Sequence, residues 1–223
     1  MKKLAMAICF MILCSVGVAH ADFYSNVSQN VTLEQIGGSY YGTGMYAGYS
    51  TSYGIEDAAL LFSQPVIPAG QAISDVTLNF YIWSTPSTSH PLGIYSNPNT
   101  NWTAFTATYS NFGLANNNLV STIPNPTLVG GQDTLYSVDV TSYIQNQLAQ
   151  GNNSFAFVLG TTDASQQTKT GYYGIEGSNY LGGALEAYLD YQTTPVATTP
   201  IPAGIWLFGS GLAGLVGLRK KIS

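Results

Sequence analysis

The stretch Asp75-Val76-Thr77-Leu78-Asn79-Phe80-Tyr81-Ile82-Trp83 alternates without a break, with Val76, Leu78, Phe80 and Ile82 on one side and Thr77, Asn79, Tyr81 and Trp83 on the other. Successive side chains of a strand point to opposite faces, so period two over this length predicts a half-buried β-strand. Leu185, Ala187, Leu189 and Tyr191 repeat the pattern against Glu186, Tyr188 and Asp190. Two unbroken apolar runs, Ala58 to Phe62 and Phe155 to Leu159, predict strands covered on both faces. Turn residues separate the elements at Pro68-Ala69-Gly70, Asn97-Pro98-Asn99, Gly130-Gly131 and Gly182-Gly183. One helix is expected where Val140, Ile144 and Leu148 fall four apart, with Thr141 or Asp139 to cap its start and Gly151 to end it. Many short strands with one brief helix predict an all-β fold, a single antiparallel β-sandwich or jelly roll over residues 22–192. The first part of it, Asp22 to Gly54, is rich in glycine and weakly periodic, and is expected to form an irregular edge.

The charges sharpen this outline. Lys2, Lys3, Lys169, Arg219, Lys220 and Lys221 are all the basic residues, and the eleven acids lie between Asp22 and Asp190. The body therefore holds one lysine against eleven carboxylates, a formal −10. A single cation cannot neutralise a row of phosphates, which excludes nucleic acid as a partner. Cys9 and Cys14 both precede the body, so it has neither disulfide nor thiol.

Both ends read as addresses. Lys2 and Lys3, an apolar run from Leu4 to Val18, and the small-x-small site Ala19-His20-Ala21 predict a signal peptide over residues 1–21, cut after Ala21 by signal peptidase. Residues 193–200 form a Thr- and Pro-rich tether. Residues 201–218, as a helix, would span roughly 27 Å against a hydrocarbon core of about 30 Å. Arg219, Lys220 and Lys221 would stay cytoplasmic and leave the body outside. Gly209, Ala213 and Gly217 form a small-residue stripe on that helix.

Pro200-Ile201-Pro202-Ala203, then Trp206-Leu207-Phe208-Gly209-Ser210-Gly211-Leu212 and the closing Arg219-Lys220-Lys221 resemble the PEP-CTERM class of sorting signals, with Ile201 where that signal carries a Glu. The resemblance implies recognition by an exosortase-like membrane protease in a Gram-negative bacterium. It further implies delivery to the cell envelope or exopolysaccharide matrix, the chain being held first in the inner membrane. A tail anchor that stays in place is the alternative. In the body, Asp57 to Phe62, Ile67-Pro68-Ala69-Gly70, Val76 to Tyr81, Tyr136 to Ile144, Gly151-Asn152-Asn153 and a closing strand at Leu185 to Tyr191 resemble the DNRLRE-type domains. These are secreted bacterial β-sandwich modules, some of which bind polysaccharide.

Catalytic chemistry is sparse. Gly48-Tyr49-Ser50-Thr51-Ser52 lacks the second glycine of a nucleophile elbow. His90, before Pro91 in a Ser/Thr/Pro-rich loop, reads as a solvated histidine, and zinc has too few ligands. Two sites stand out. Tyr53-Gly54-Ile55-Glu56 recurs as Tyr173-Gly174-Ile175-Glu176; if the segments adjoin, Glu56, Asp57 and Glu176 would hold a structural Ca²⁺, and otherwise they are solvated or hydrogen-bonded loop acids. No other cofactor is expected. Tyr40, Tyr41, Tyr46, Tyr49 and Tyr53, with Trp102 and Tyr109 further on, would stack on sugar rings if turned outward and would be core or edge residues if turned inward. The expected role is a non-catalytic component of the envelope or exopolysaccharide matrix; the alternatives are a carbohydrate-binding module and, third, a polysaccharide-acting enzyme using two carboxylates.

Overall fold

The computed structural model describes residues 21–196 apart from 41, 43, 65, 89, 113–117, 163–170 and 178–183. In chain order the strands are β1 (Ala21–Glu34), β2 (Gly38–Tyr40), β3 (Gly44–Ser50), β4 (Gly54–Ser63), β5 (Gln71–Ser84) and β6 (Leu92–Asn97). The one-turn helix α1 (Tyr109–Phe112) follows, then β7 (Asn118–Ile123), β8 (Thr134–Asp139), helix α2 (Thr141–Ala149), β9 (Ser154–Thr161), β10 (Gly171–Glu176) and β11 (Tyr188–Pro195).

The fold is all-β, and every pairing between these strands is antiparallel. The alternating stretch falls inside β5, whose Val76, Leu78, Phe80 and Ile82 are fully buried. β11 pairs with β5 and β1, β10 with β5 and β3, and β4 with β3 and β1. β1, β11, β5, β10, β3 and β4 follow one another by pairing, and β1 also pairs with β4. β9, β6 and β7 continue outward from β4, β2 lies beside β1, and β8 beside β5.

Two cores explain the unbroken apolar runs. Ala58, Leu60 and Phe62 of β4 and Phe155, Phe157 and Leu159 of β9 face the main core, with Phe80, Ile82 and Tyr173 among their neighbours there. The residues between them, Ala59, Leu61, Ala156 and Val158, face a second cluster roofed by Trp102, Ala104, Ala107 and Phe112. A strand covered on both sides has no polar face to alternate with.

The first stretch departs from expectation. Residues 21–34 form a fourteen-residue strand rather than an irregular edge. Its register against β4 shifts between Val27 and Gln29. Val27 faces the main core, whereas Val31 and Leu33, at the same parity, face the second cluster. One extra residue reverses the faces of everything after it, which scrambles period two in the sequence. The last strand begins at Tyr188 rather than Leu185 and continues through Thr193, Thr194 and Pro195, which pair with Ile73, Ala72 and Gln71.

Helix α2 forms as its spacing predicts, with Ile144 buried against the main core. The Asp139 carboxylate accepts the Thr141 backbone N–H at 2.9 Å, and this bonding holds its pKa below the usual range. Gly151, at φ +80°, ends the helix: its N–H reaches the Leu148 carbonyl at 2.9 Å and the Asn152 N–H reaches Gln147 at 3.0 Å. Gly130 and Gly131, at φ +63° and +72°, turn the chain between Val129 and Gln132. Among the described residues no helix is long and apolar enough to cross a membrane. Residues 1–20 and 197–223, including Ala19, Pro200, Pro202, Ala203, Trp206, Gly209, Gly211, Arg219, Lys220 and Lys221, lie outside the described residues, as does Gly182-Gly183; Ala21 begins β1.

Candidate functional site

Four residues stand in one row across four strands: Glu34 of β1 is opposite Glu56 of β4, Glu56 opposite Gly48 of β3, and Gly48 opposite Tyr172 of β10. Residues directly opposite in antiparallel pairs share a face, so Glu34, Glu56 and Tyr172 project to the same side. The row has a gap where Gly48 has no side chain. Glycine is required there, because φ is +155° and a Cβ would stand 2.4 Å from the Gly171 carbonyl oxygen. A cavity of about 360 Å³ opens beside the row, lined by Glu34, Tyr40, Tyr46, Ser50, Ser52, Tyr53, Glu56 and Tyr172.

Backbone bonds hold the rim. The Gln35 N–H donates to the Ile55 carbonyl at 2.9 Å and the Ile36 N–H to the Tyr53 carbonyl at 3.0 Å, lacing the β1–β2 turn to the β3–β4 turn. The Tyr53 N–H donates to Ser50 Oγ at 3.0 Å, which tightens the turn carrying Ser52 and Tyr53. The Tyr46 N–H donates to Thr32 Oγ1 at 3.1 Å and ties β3 to β1. Tyr46 is the aromatic hub. Its ring meets Tyr172 edge-on at 4.8 Å and Trp83 at 6.0 Å, and lies 6.3 Å from Tyr40 at a tilt of 36°. Trp83 lies against Gly174, where a Cβ would stand 2.4 Å from the indole. Tyr40 and Tyr53 each remain 46% exposed and present their rings at the mouth.

The electrostatics are one-signed. Burial raises the Glu34 pKa. Burial also raises Glu56, which the facing Glu34 carboxylate pushes further and a hydrogen bond with Ser50 partly offsets. The Tyr46 phenol is raised by burial, then by Tyr172, Tyr40 and Glu56. Among the described residues there is no lysine, arginine or cysteine.

Of the expected aromatic contacts, Tyr40, Tyr46 and Tyr53 meet at this cavity. Tyr49 is half-buried and does not line it, and Tyr41 lies outside the described residues. Trp102 is not a sugar contact: it is 5% exposed and packs edge-on against Phe112 at 5.5 Å in the second core. Tyr109 packs on the same cluster, its phenol raised to about 12 by burial and the Asp57 charge.

The three acids expected at calcium do not converge. Both Tyr-Gly-Ile-Glu segments pair with β3, on opposite sides of it. Glu56 is level with Gly48 but Glu176 is level with Gly44, about 13 Å further along the strand. Asp57 follows Glu56 and so points to the other face, toward Tyr95 and Tyr109. Among the described residues no three His, Cys, Asp or Glu side chains gather as a metal site. His90 is buried rather than solvated, its backbone N–H and carbonyl both engaging the Tyr173 hydroxyl.

Glu34, Tyr172 and Trp83 are the residues that sequence reasoning missed. Glu34 lay in the stretch whose periodicity the bulge had scrambled. Tyr172 was legible, because alternation puts neighbouring Tyr172 and Tyr173 on opposite faces, one in the core and one out.

The family model described as carbohydrate-binding module family 96 matches residues 42–180. Those residues include Tyr46, Ser50, Ser52, Tyr53, Glu56 and Tyr172, whereas Glu34 and Tyr40 precede them. No curated protein matches the chain.

Proposed function

The chain belongs to carbohydrate-binding module family 96, and from that premise we propose that it holds a polysaccharide in the tyrosine-lined cavity without acting on it chemically. The lining of the cavity carries this reading. It brings a pair of carboxylates together with four tyrosines, and its volume falls in the range of small-molecule sites, roughly 300–1,000 Å³. Tyrosine rings stack on the C–H faces of a sugar, and carboxylates accept its hydroxyls in charge-assisted bonds. Tyr40 and Tyr53 at the mouth would extend the contact to neighbouring sugars of a chain.

Tyr172→Ala is expected to lower affinity for the bound polysaccharide about fivefold, the loss of one stacked ring of roughly 1 kcal/mol. Tyr24→Ala, at a ring 62% exposed on β1 and absent from the cavity, is expected to leave it unchanged. Affinity gel electrophoresis measures both. Equal affinities for the two variants would sink the assignment.

Glu34 and Glu56 are the pair of carboxylates at the cavity on which an enzyme reading would rest. They stand side by side on adjacent strands and project from one wall, whereas glycoside hydrolysis needs carboxyls flanking the scissile bond. Release of reducing ends that Glu56→Gln abolishes would overturn the non-catalytic reading.

Residues 1–21, read as a signal peptide, and 201–223, read as a PEP-CTERM-like sorting signal, support export and delivery. We place the binding domain outside the cytoplasm of a Gram-negative bacterium, at the envelope or in the exopolysaccharide matrix.

A further inference from the structure

We infer that Trp83 is a further glycan-stacking residue, and that the bound polysaccharide runs from the tyrosine-lined cavity across β10 onto β5. Several consecutive sugars are then held at once. This rests on the carbohydrate-binding reading and adds to it the length of chain that the site takes.

On the face that carries Tyr46 and Tyr172, β3 and β10 set large residues against glycines. Gly48 is opposite Tyr172, Tyr46 opposite Gly174, and Gly44 opposite Glu176. Opposite residues share a face, so three glycines leave bare backbone between these side chains. Trp83, reaching over from β5, lies on part of it. A Cβ on Gly174 would stand within 2.8 Å of Cε2, Cζ2 and Cδ2 of the indole, and one on Gly44 3.4 Å from Nε1. Cε2 and Cδ2 are the two carbons shared by the fused rings, which no atom can approach together from the rim. Gly174 therefore lies under the face of the indole, and Gly44 at its N–H edge. The ring lies down along the sheet instead of standing up from it.

Trp83 is half-buried, so part of the indole beyond that covered face stays open. It adjoins the cavity through Tyr46, which lines the cavity and meets the indole at 6.0 Å. Gly48, level with Glu56, and Gly44, beside the indole, are about 13 Å apart along β3, further than one sugar ring reaches. An aromatic face with a polar N–H at its edge suits a sugar, whose C–H side stacks while a hydroxyl accepts the N–H.

The test uses the mature chain and hexamers of β-1,4-linked glucose, N-acetylglucosamine and mannuronate, with the corresponding dimers, by isothermal titration. The hexamer that binds is expected to do so at least about tenfold more tightly than its dimer, since only the longer chain reaches Trp83. Trp83→Ala is expected to weaken hexamer binding about fivefold, and Trp83→Phe, which keeps an aromatic face, less than about twofold. Direct contact is read from acrylamide quenching, Trp102 being buried in the second core. Saturating hexamer is expected to protect indole fluorescence in the wild type and not in Trp83→Phe, and these two measurements carry the test should Trp83→Ala fail to fold.

Equal affinity for dimer and hexamer, or hexamer binding that Trp83→Ala leaves intact while Tyr172→Ala weakens it, overturns the inference and leaves the cavity standing. Weakening that Trp83→Phe does not rescue, or that comes without protection from quenching, makes Trp83 a prop for Tyr46 and overturns it too. Binding of none of the three hexamers overturns the carbohydrate-binding assignment itself.

Discussion

At the scale of single residues, chemistry in this molecule follows from which face a side chain takes. Glu56 and Asp57 are adjacent in sequence, yet one lines the cavity and the other lies beneath Tyr95 and Tyr109. Glu176 shares the Tyr-Gly-Ile-Glu motif with Glu56 and is remote from it, in a buried position that raises its pKa from the ordinary 4.5 to about 7, with the Asp133 charge adding to the effect. Its consequence for stability has a definite sign. Below about pH 4.5 the carboxyl is neutral in both folded and unfolded chains, and its folded-state advantage is complete. As pH rises through 7 that advantage is lost, because the folded state resists ionisation that the unfolded chain accepts. Glu176→Gln is therefore expected to raise stability at pH 8 by on the order of 1–2 kcal/mol after solvent screening, and to change it little at pH 4. Urea denaturation at the two pH values measures this; an equal change at both would show that packing, rather than charge, dominates.

Elements were legible wherever one periodicity ran uninterrupted. β5 was readable from its alternation, β4 and β9 from their apolar runs, and α2 from its four-residue spacing and Gly151. β1 was not, because the extra residue near Ser28 hands its apolar positions from one core to the other. The second core was equally hidden. Its roof is the segment from Trp102 to Phe112, which has little secondary structure and no period, and which only the folded chain lays over β1, β4 and β9. Trp102→Ala is expected to cost about 3–4 kcal/mol by leaving a cavity over Val158 and Leu61. The same variant is expected to leave glycan affinity unchanged, since the indole is in the second core and not in the tyrosine-lined cavity. Thermal or denaturant melting alongside affinity electrophoresis separates the two readouts, and a loss of affinity without loss of stability would return Trp102 to the binding surface.

For the whole molecule, the ends and the body carry separate messages. Loss of residues 1–21 and of the PEP-CTERM-like tail should appear as a reduced intact mass when the protein is recovered from its native host, and retention of residues 201–223 would instead mark a permanent anchor. The amino-acid order determined by itself the all-β class, the antiparallel pairing, the helix at Thr141–Ala149 and a body of one charge sign, because each depends on neighbours a few positions apart. The site was decided only in three dimensions. Glu34, Gly48, Glu56 and Tyr172 are spread over more than half the chain, and they become a row because β1, β4, β3 and β10 align in one register. Strand pairing is a long-range choice, so Gly48 comes to stand between Glu56 and Tyr172 in the row, where a side chain would meet the Gly171 carbonyl.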